Sequence, residues 1–150
     1  MIKLDNKPKH LTKLFYETYE GYKEILLKEK RQYCIALFIV DGITFAIPFR
    51  TNINHKYSYI FKNSPRSDRS GLDFTKAVVI TDDSFIGEDT TIDNKEYSEF
   101  INKQVVIANR FEKFIKDYRK WIINPSYYRA EKTIAFSALQ YFYKELGINN

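Results

Sequence analysis

Cysteine is almost missing from this chain. Cys34 is the single thiol in 150 residues, which excludes an internal disulfide and any multi-cysteine zinc site. The histidines are two, His10 and His55, too few for a histidine-rich metal centre. The acidic residues do not cluster in a set that would hold a catalytic metal, so no cofactor or metal is expected. Glycine and proline number 5 and 4, which excludes collagen-like and linker-like chains. No run reaches the ~18 apolar residues needed to cross a bilayer. The stretch from Met1 to His10 is polar and lacks the apolar segment of a secretory leader. The P-loop, GxGxxG, HExxH and GxSxG patterns are absent, which weakens nucleotide-binding, zinc-protease and serine-hydrolase readings. A reducing cytoplasm suits the lone thiol, and no membrane partner is expected.

Aromatic residues and positive charge are plentiful. Hydrophobic residues make up 44% and charged residues 29%, a balance that folds as one ordinary domain. Lys and Arg number 24 against 19 Asp and Glu, a net charge of +5. There are 12 Tyr, 12 Phe and one Trp. Tyrosine mixed with cations is the chemistry that holds unpaired nucleic acid, where rings stack on bases and cations meet phosphates. The plainer alternative is an aromatic core in a small domain.

Leu11, Leu14, Phe15, Thr18, Tyr22, Ile25 and Leu26 recur at helical spacing and predict a helix from about Leu11 to Lys28, with Gly21 a weak point inside it. The apolar run from Tyr33 to Val40 reads as a buried strand. Asp41-Gly42 then separates it from Ile43 to Phe49, the strongest short hairpin signal. Pro48 cannot donate to a ladder, so the second strand is expected to end, bulge or become an edge there. Ser58 to Phe61 is a further strand candidate, 63–71 a polar loop, and Lys76 to Thr81 a strand. A short strand is expected near Phe85-Ile86. Asp93 with Glu96 has capping-box spacing and should start a long helix. Its apolar stripe runs through Tyr97, Phe100, Ile101, Val105, Ala108, Phe111, Ile115, Tyr118 and Ile122 to a stop at Asn124-Pro125. A last helix is expected from Arg129 to Leu146, with Gly147 as its stop. The layout is α+β, a small twisted antiparallel sheet surrounded by helices.

The segment Arg50-Thr51-Asn52-Ile53-Asn54-His55-Lys56-Tyr57 gathers cations, a hydroxyl, amides, an imidazole and a phenol just beyond a strand-ending proline. Arginine offers a planar fork for phosphate oxygens, and Thr and Asn add neutral donors. The alternative is a polar loop with solvated charges. From Arg50 to Lys76 there are six Lys and Arg (50, 56, 62, 66, 69 and 76) and two acids, so +4 of the excess charge falls in 27 residues. That span, with Lys62, Arg66 and Arg69, is a candidate polyanion surface. Lys113, Lys116 and Lys120 share one face of the long helix, as RNA contacts or as its solvated side. Ser137, Gln140, Tyr141 and Lys144 share a face of the last helix and either line a cleft or face water. Cys34, inside a strand run, reads as a core residue.

The stretch from Asp41 to Arg50, then Asn54 to Tyr57, then Gly71 to Val79, and finally Phe136-Ser137-Ala138-Leu139-Gln140-Tyr141-Phe142, resembles toxins of type III toxin–antitoxin systems, the TenpN/CptN group. Order and spacing agree from about His10 to Leu146. The resemblance implies a metal-independent endoribonuclease with a MazF/Kid-like, partly barrel-shaped sheet. It implies a small repeat-derived RNA antitoxin folded as a pseudoknot, which the toxin processes and then retains in a closed protein–RNA assembly. Other cellular RNA would be the substrate of the free toxin. In related ToxN-like toxins a Thr-Ser-x-x-Lys string follows a proline at a strand end. The comparable place here reads Pro48-Phe49-Arg50-Thr51-Asn52, with Lys56 further on. The resemblance therefore carries over Thr51 and Lys56. It leaves open the roles of Arg50, Asn52, Asn54 and His55, because the spacing differs.

The expected reaction is attack of the ribose 2′-hydroxyl on the neighbouring phosphorus, giving 2′,3′-cyclic phosphate and 5′-hydroxyl ends. RNA carries its own nucleophile, so the protein need only orient, exchange protons and neutralise charge. Arg50, Thr51, Asn52, His55 and Lys56 are the expected catalytic group. Asn54, Tyr57, Lys62, Arg66, Arg69, Lys113, Lys116, Lys120, Ser137, Gln140 and Tyr141 are the expected RNA contacts. The rival reading is an RNA-binding module without catalysis.

Overall fold

The computed structural model describes residues 7–25 and 34–148. Its centre is the expected hairpin. β2 (Cys34–Val40) and β3 (Ile43–Arg50) run antiparallel, in register from Val40 opposite Ile43 to Ile35 opposite Pro48. Asp41 and Gly42 both take positive φ, 52° and 77°, the geometry that matches a tight turn to the twist of its strands.

Around this hairpin the sheet gains β1 (Lys9–Leu11), β4 (Ser58–Ile60), β5 (Gly71–Asp73), β6 (Val78–Val79) and β7 (Ile86–Asp89). The order is β4-β5-β3-β2-β1-β7, with β6 also on β3, and every pairing is antiparallel. The path has two ends, β4 and β7, so the sheet is open; the expected partial barrel is not formed among the described strands. The fold is α+β, as the layout predicts.

Pro48 does not end its strand. β3 continues through it to Arg50. On the flank away from β2, β6 pairs with Phe45 and Ala46, and β5 with Phe49 and Arg50. Pro48 thus falls where β3 changes neighbours, a place that needs no donor on that side. Arg50 is delivered to the end of a paired strand, opposite Gly71. Gly71 opens β5 and does not belong to the expected 63–71 loop. A side chain there would lie 1.9 Å from the Tyr59 carbonyl oxygen, so only glycine lets β5 lie against β4.

The N-terminal expectation fails in an informative way. Lys9 to Leu11 form a strand between β2 and β7, and α1 covers only Lys13–Thr18. Gly21 takes φ 89°, outside any right-handed helix. The Tyr19 ring packs on Phe15, Phe85 and Phe142, so tertiary contacts override the helical spacing. The end of that expected helix, Leu26 to Lys28, lies outside the described residues, as does Tyr33. The expected strand over Lys76 to Thr81 shrinks to β6, because Phe74–Lys76 form a 3-10 turn capped by Asp73. The strand near Phe85 is β7, and Phe85 belongs to the turn before it.

The long helix is two. Asp93 caps α2 (Asn94–Asn102), accepting from the amides of Lys95 and Glu96. α3 (Gln104–Ile123) follows after a break at Lys103, where φ is −111° and ψ 15°. The break turns Val105 out to solvent, whereas Phe114 and Trp121 join Ile107, Phe111, Ile115 and Tyr118 inside. Asn124 ends α3 as expected. A short helix, α4 (Pro125–Tyr128), follows, and the helix expected from Arg129 to Leu146 is broken into α5 (Glu131–Phe136) and α6 (Tyr143–Leu146), with a 3-10 turn over Ala138–Tyr141. Ser137 is extended and fully buried, and its hydroxyl oxygen accepts from the Leu139 amide. A capping serine of this kind starts a new turn rather than continuing an old one.

Candidate functional site

The open end of β3 and β5 carries a polar cluster built around one buried carboxylate. Asp73 has no solvent exposure. One of its oxygens, Oδ2, accepts from Arg50 Nη1 at 2.8 Å. The other, Oδ1, accepts from the Thr75 hydroxyl at 2.6 Å and the Thr75 amide at 3.0 Å, and lies 3.0 Å from His55 Nε2. The Tyr57 amide donates to His55 Nδ1 at 3.1 Å. That nitrogen therefore carries no proton, and the ring is the Nε2–H tautomer donating to Asp73. Burial pushes the Asp73 carboxyl up, but the bonds from His55, Thr75 and Arg50 outweigh it and hold the group below the ordinary carboxylate range.

The loop that carries His55 is pinned from β5's side. Arg69 Nε donates to the Ile53 carbonyl at 2.6 Å and Arg69 Nη2 to the His55 carbonyl at 3.3 Å. The Ile53 amide donates back to the Arg69 carbonyl, and the Ile53 side chain is buried. Arg69, expected as an RNA contact, is thus committed to shaping the loop.

Arg50, His55, Asp73 and Thr75 line a cavity of about 560 Å³. Asn54, Tyr57 and Lys76 complete its wall from the sheet side, and Lys132, Thr133 and Phe136 of α5 form the other. Lys76 is held by Glu24 at 2.9 Å and by the Phe136 carbonyl at 2.7 Å. Arg50 keeps guanidinium donors beyond its bond to Asp73, and Lys132 is exposed at the rim.

Lys56 is elsewhere. It lines a neighbouring hollow of about 440 Å³ with Arg110, Lys113, Asp117, Phe114 and Trp121. The two hollows share Tyr57, whose ring packs on Trp121 at 5.2 Å and lies under Lys56 Nζ at 5.4 Å. Thr51 and Asn52 are exposed and line neither hollow. The expected catalytic five are therefore divided: Arg50 and His55 meet, while Thr51, Asn52 and Lys56 stand apart. The buried Ile53 lies between the exposed Thr51–Asn52 pair and residues 54–57, which line the two hollows.

The remaining expected contacts do not line the Arg50 cavity. Lys62 lines a third hollow, of about 610 Å³, with Lys95 and Lys103. Lys113 and Lys116 pair along α3 with Asp117 at 2.6 Å and Glu112 at 3.2 Å, and Lys120 is exposed on the same helix. Arg66 lies 3.2 Å from the buried Glu96. Ser137 is a buried cap, Gln140 Nε2 donates to the Ala135 and Ser137 carbonyls, and the Tyr141 hydroxyl accepts from the Glu24 amide. The breaking of the last helix removes the shared polar face on which these three were grouped. Cys34 is half-buried, and burial raises its thiol pKa despite the opposing pull of Arg66 and Thr90, against a reactive thiolate.

Asp73, Thr75, Lys132, Thr133 and Phe136 are the site residues that sequence reasoning missed. Asp73 and Thr75 lie in the resembling stretch Gly71 to Val79, where a carboxylate and a hydroxyl two residues apart match an Asx-type cap. Among the described residues, no group of three or more His, Cys, Asp and Glu side chains is placed to hold a metal ion, and no helix is long and apolar enough to cross a membrane. Comparison with known protein families, curated proteins and solved structures gives no match.

Proposed function

We propose that this chain is the toxin of a type III toxin–antitoxin pair, a metal-independent endoribonuclease whose cleft at Arg50 and Asp73 receives the RNA backbone. The observation that carries the reading is the arginine held by a buried carboxylate at the wall of a cationic cavity. An arginine fixed from behind loses little freedom when its remaining donors take two phosphate oxygens. The sequence resemblance supplies the class of reaction and the fold comparison with MazF and Kid.

In the reaction the ribose 2′-oxygen bonds to the adjacent phosphorus and the bond to the 5′-oxygen breaks. The 2′-hydroxyl proton leaves to a base, and solvent water gives a proton to the departing 5′-oxygen, so one proton is lost and one gained. Arg50 and Lys132 neutralise the charge that builds on the non-bridging oxygens. Asn54 and Thr133 orient the phosphate. His55 holds Asp73 in the resting arrangement, and its Nδ1 becomes a proton acceptor once it gives up the Tyr57 amide. The same cleft keeps the processed pseudoknot RNA, so inhibition in a closed protein–RNA assembly needs no separate site.

The engagement of both His55 nitrogens favours one second reading, an RNA-binding module without catalysis. Incubation with a repeat RNA in EDTA separates the two. Fragments ending in cyclic phosphate support the nuclease. Intact, bound RNA supports the module, and RNA left unbound removes both.

A further inference from the structure

Eleven of the twelve phenylalanines are buried; Phe136 is the exception, with 51% of its surface exposed. It is not on a loose tip. It closes α5, its carbonyl accepts from Lys76 Nζ at 2.7 Å, and the next residue, Ser137, is fully buried and caps the following turn. An exposed phenyl ring on a fixed stem adds little to folding. Its position gives it another use: it lines the same cavity as Arg50, facing a wall of donors and cations.

We propose that Phe136 is a stacking platform for an unpaired nucleobase of RNA, next to the phosphate that Arg50 holds. The chemistry is complementary on both counts. The guanidinium and Lys132 take the phosphate, which every nucleotide has, and the ring takes the flat face of the attached base, which every base has. Tyr57, the other aromatic wall of the cavity, is engaged by Trp121 and Phe114. Phe136 keeps half its surface for a ligand. The inference rests on reading this cleft as an RNA-backbone site.

The test uses a 2′-O-methyl single-stranded RNA oligomer, which binds without being cut, and compares wild type, Phe136→Ala and Phe136→Trp. Alanine should weaken binding by about ten-fold, and tryptophan should keep it. Abasic nucleotides are then placed along the oligomer one position at a time. At one position the alanine defect should vanish, because the base that stacks is already gone. Equal binding by wild type and Phe136→Ala overturns the platform. So does a defect that persists at every abasic position, or one that tryptophan shares. Wild type that binds no oligomer overturns the platform together with the RNA reading itself; wild type that binds while Phe136→Ala is unaffected removes the platform alone.

Discussion

Asp73 keeps a charge where no water reaches it, and the three side chains around it make this possible. Its carboxyl is held below its ordinary range, so the sign of the pH effect follows. The unfolded chain takes up a proton near pH ~3.9, whereas the folded chain resists until lower pH. The stability this group contributes is complete above that range and is lost as pH falls through the folded value. Melting temperature should therefore drop on acidification below about pH 4, with a shallower drop in Asp73→Asn. Asp73→Ala removes the acceptor that Arg50, His55 and Thr75 share and should cost about 1.5–3 kcal/mol in a denaturant titration, the scale of hydrogen bonds to a charged group. Arg50→Lys keeps a charge on Asp73 but loses the fork. It should melt within a few degrees of wild type yet cut RNA on the order of 10²–10³-fold more slowly.

Single residues explain how much of the site could be read in advance. Arg50 and His55 stand out in the sequence by their types and their place after Pro48, and both line one cavity. Asp73 does not stand out, since an acid in a basic stretch counts only as a charge until the register Ser58 opposite Asp73 brings it beneath the loop. Thr51 and Lys56 share the same string as Arg50, but adjacency in sequence says nothing about which side of Ile53 a side chain takes.

Elements follow the same division. The Asp41-Gly42 turn is local chemistry, and it appears as expected. Gly42→Ala should cost roughly 1–2 kcal/mol for its left-handed backbone, measured by thermal melting. Gly71 is a tertiary requirement that no local pattern marks. Gly71→Ala should separate β4 from β5, lowering stability far more than Gly42→Ala and removing activity with it. Gly21, Lys103 and Ser137 lie where the apolar period continues but packing or capping demands a bend. α2 then uses Glu99 to hold the chain after β4, accepting from the Tyr59 hydroxyl at 2.6 Å and the Lys62 amide at 2.9 Å. Burial, and then this bond to Glu99, raise the Tyr59 pKa far above the ordinary phenol.

Across the described residues, cations line three hollows: the Arg50 cavity, the Lys56 hollow beside it and the Lys62 hollow. A polynucleotide that contacts roughly three phosphates should show a log–log salt slope of about −2, at 0.7 per contact for a single strand. Affinity that stays flat across salt would place the contacts on bases alone. The most direct test of the account is single-turnover cleavage of a repeat RNA in EDTA by Arg50→Lys and Lys56→Ala, side by side. Arg50→Lys should be the crippled variant, whereas Lys56→Ala stays within about ten-fold of wild type, a loss smaller than removal of a group that stabilises the transition state. Loss of cutting in Lys56→Ala with Arg50→Lys unimpaired would contradict the account.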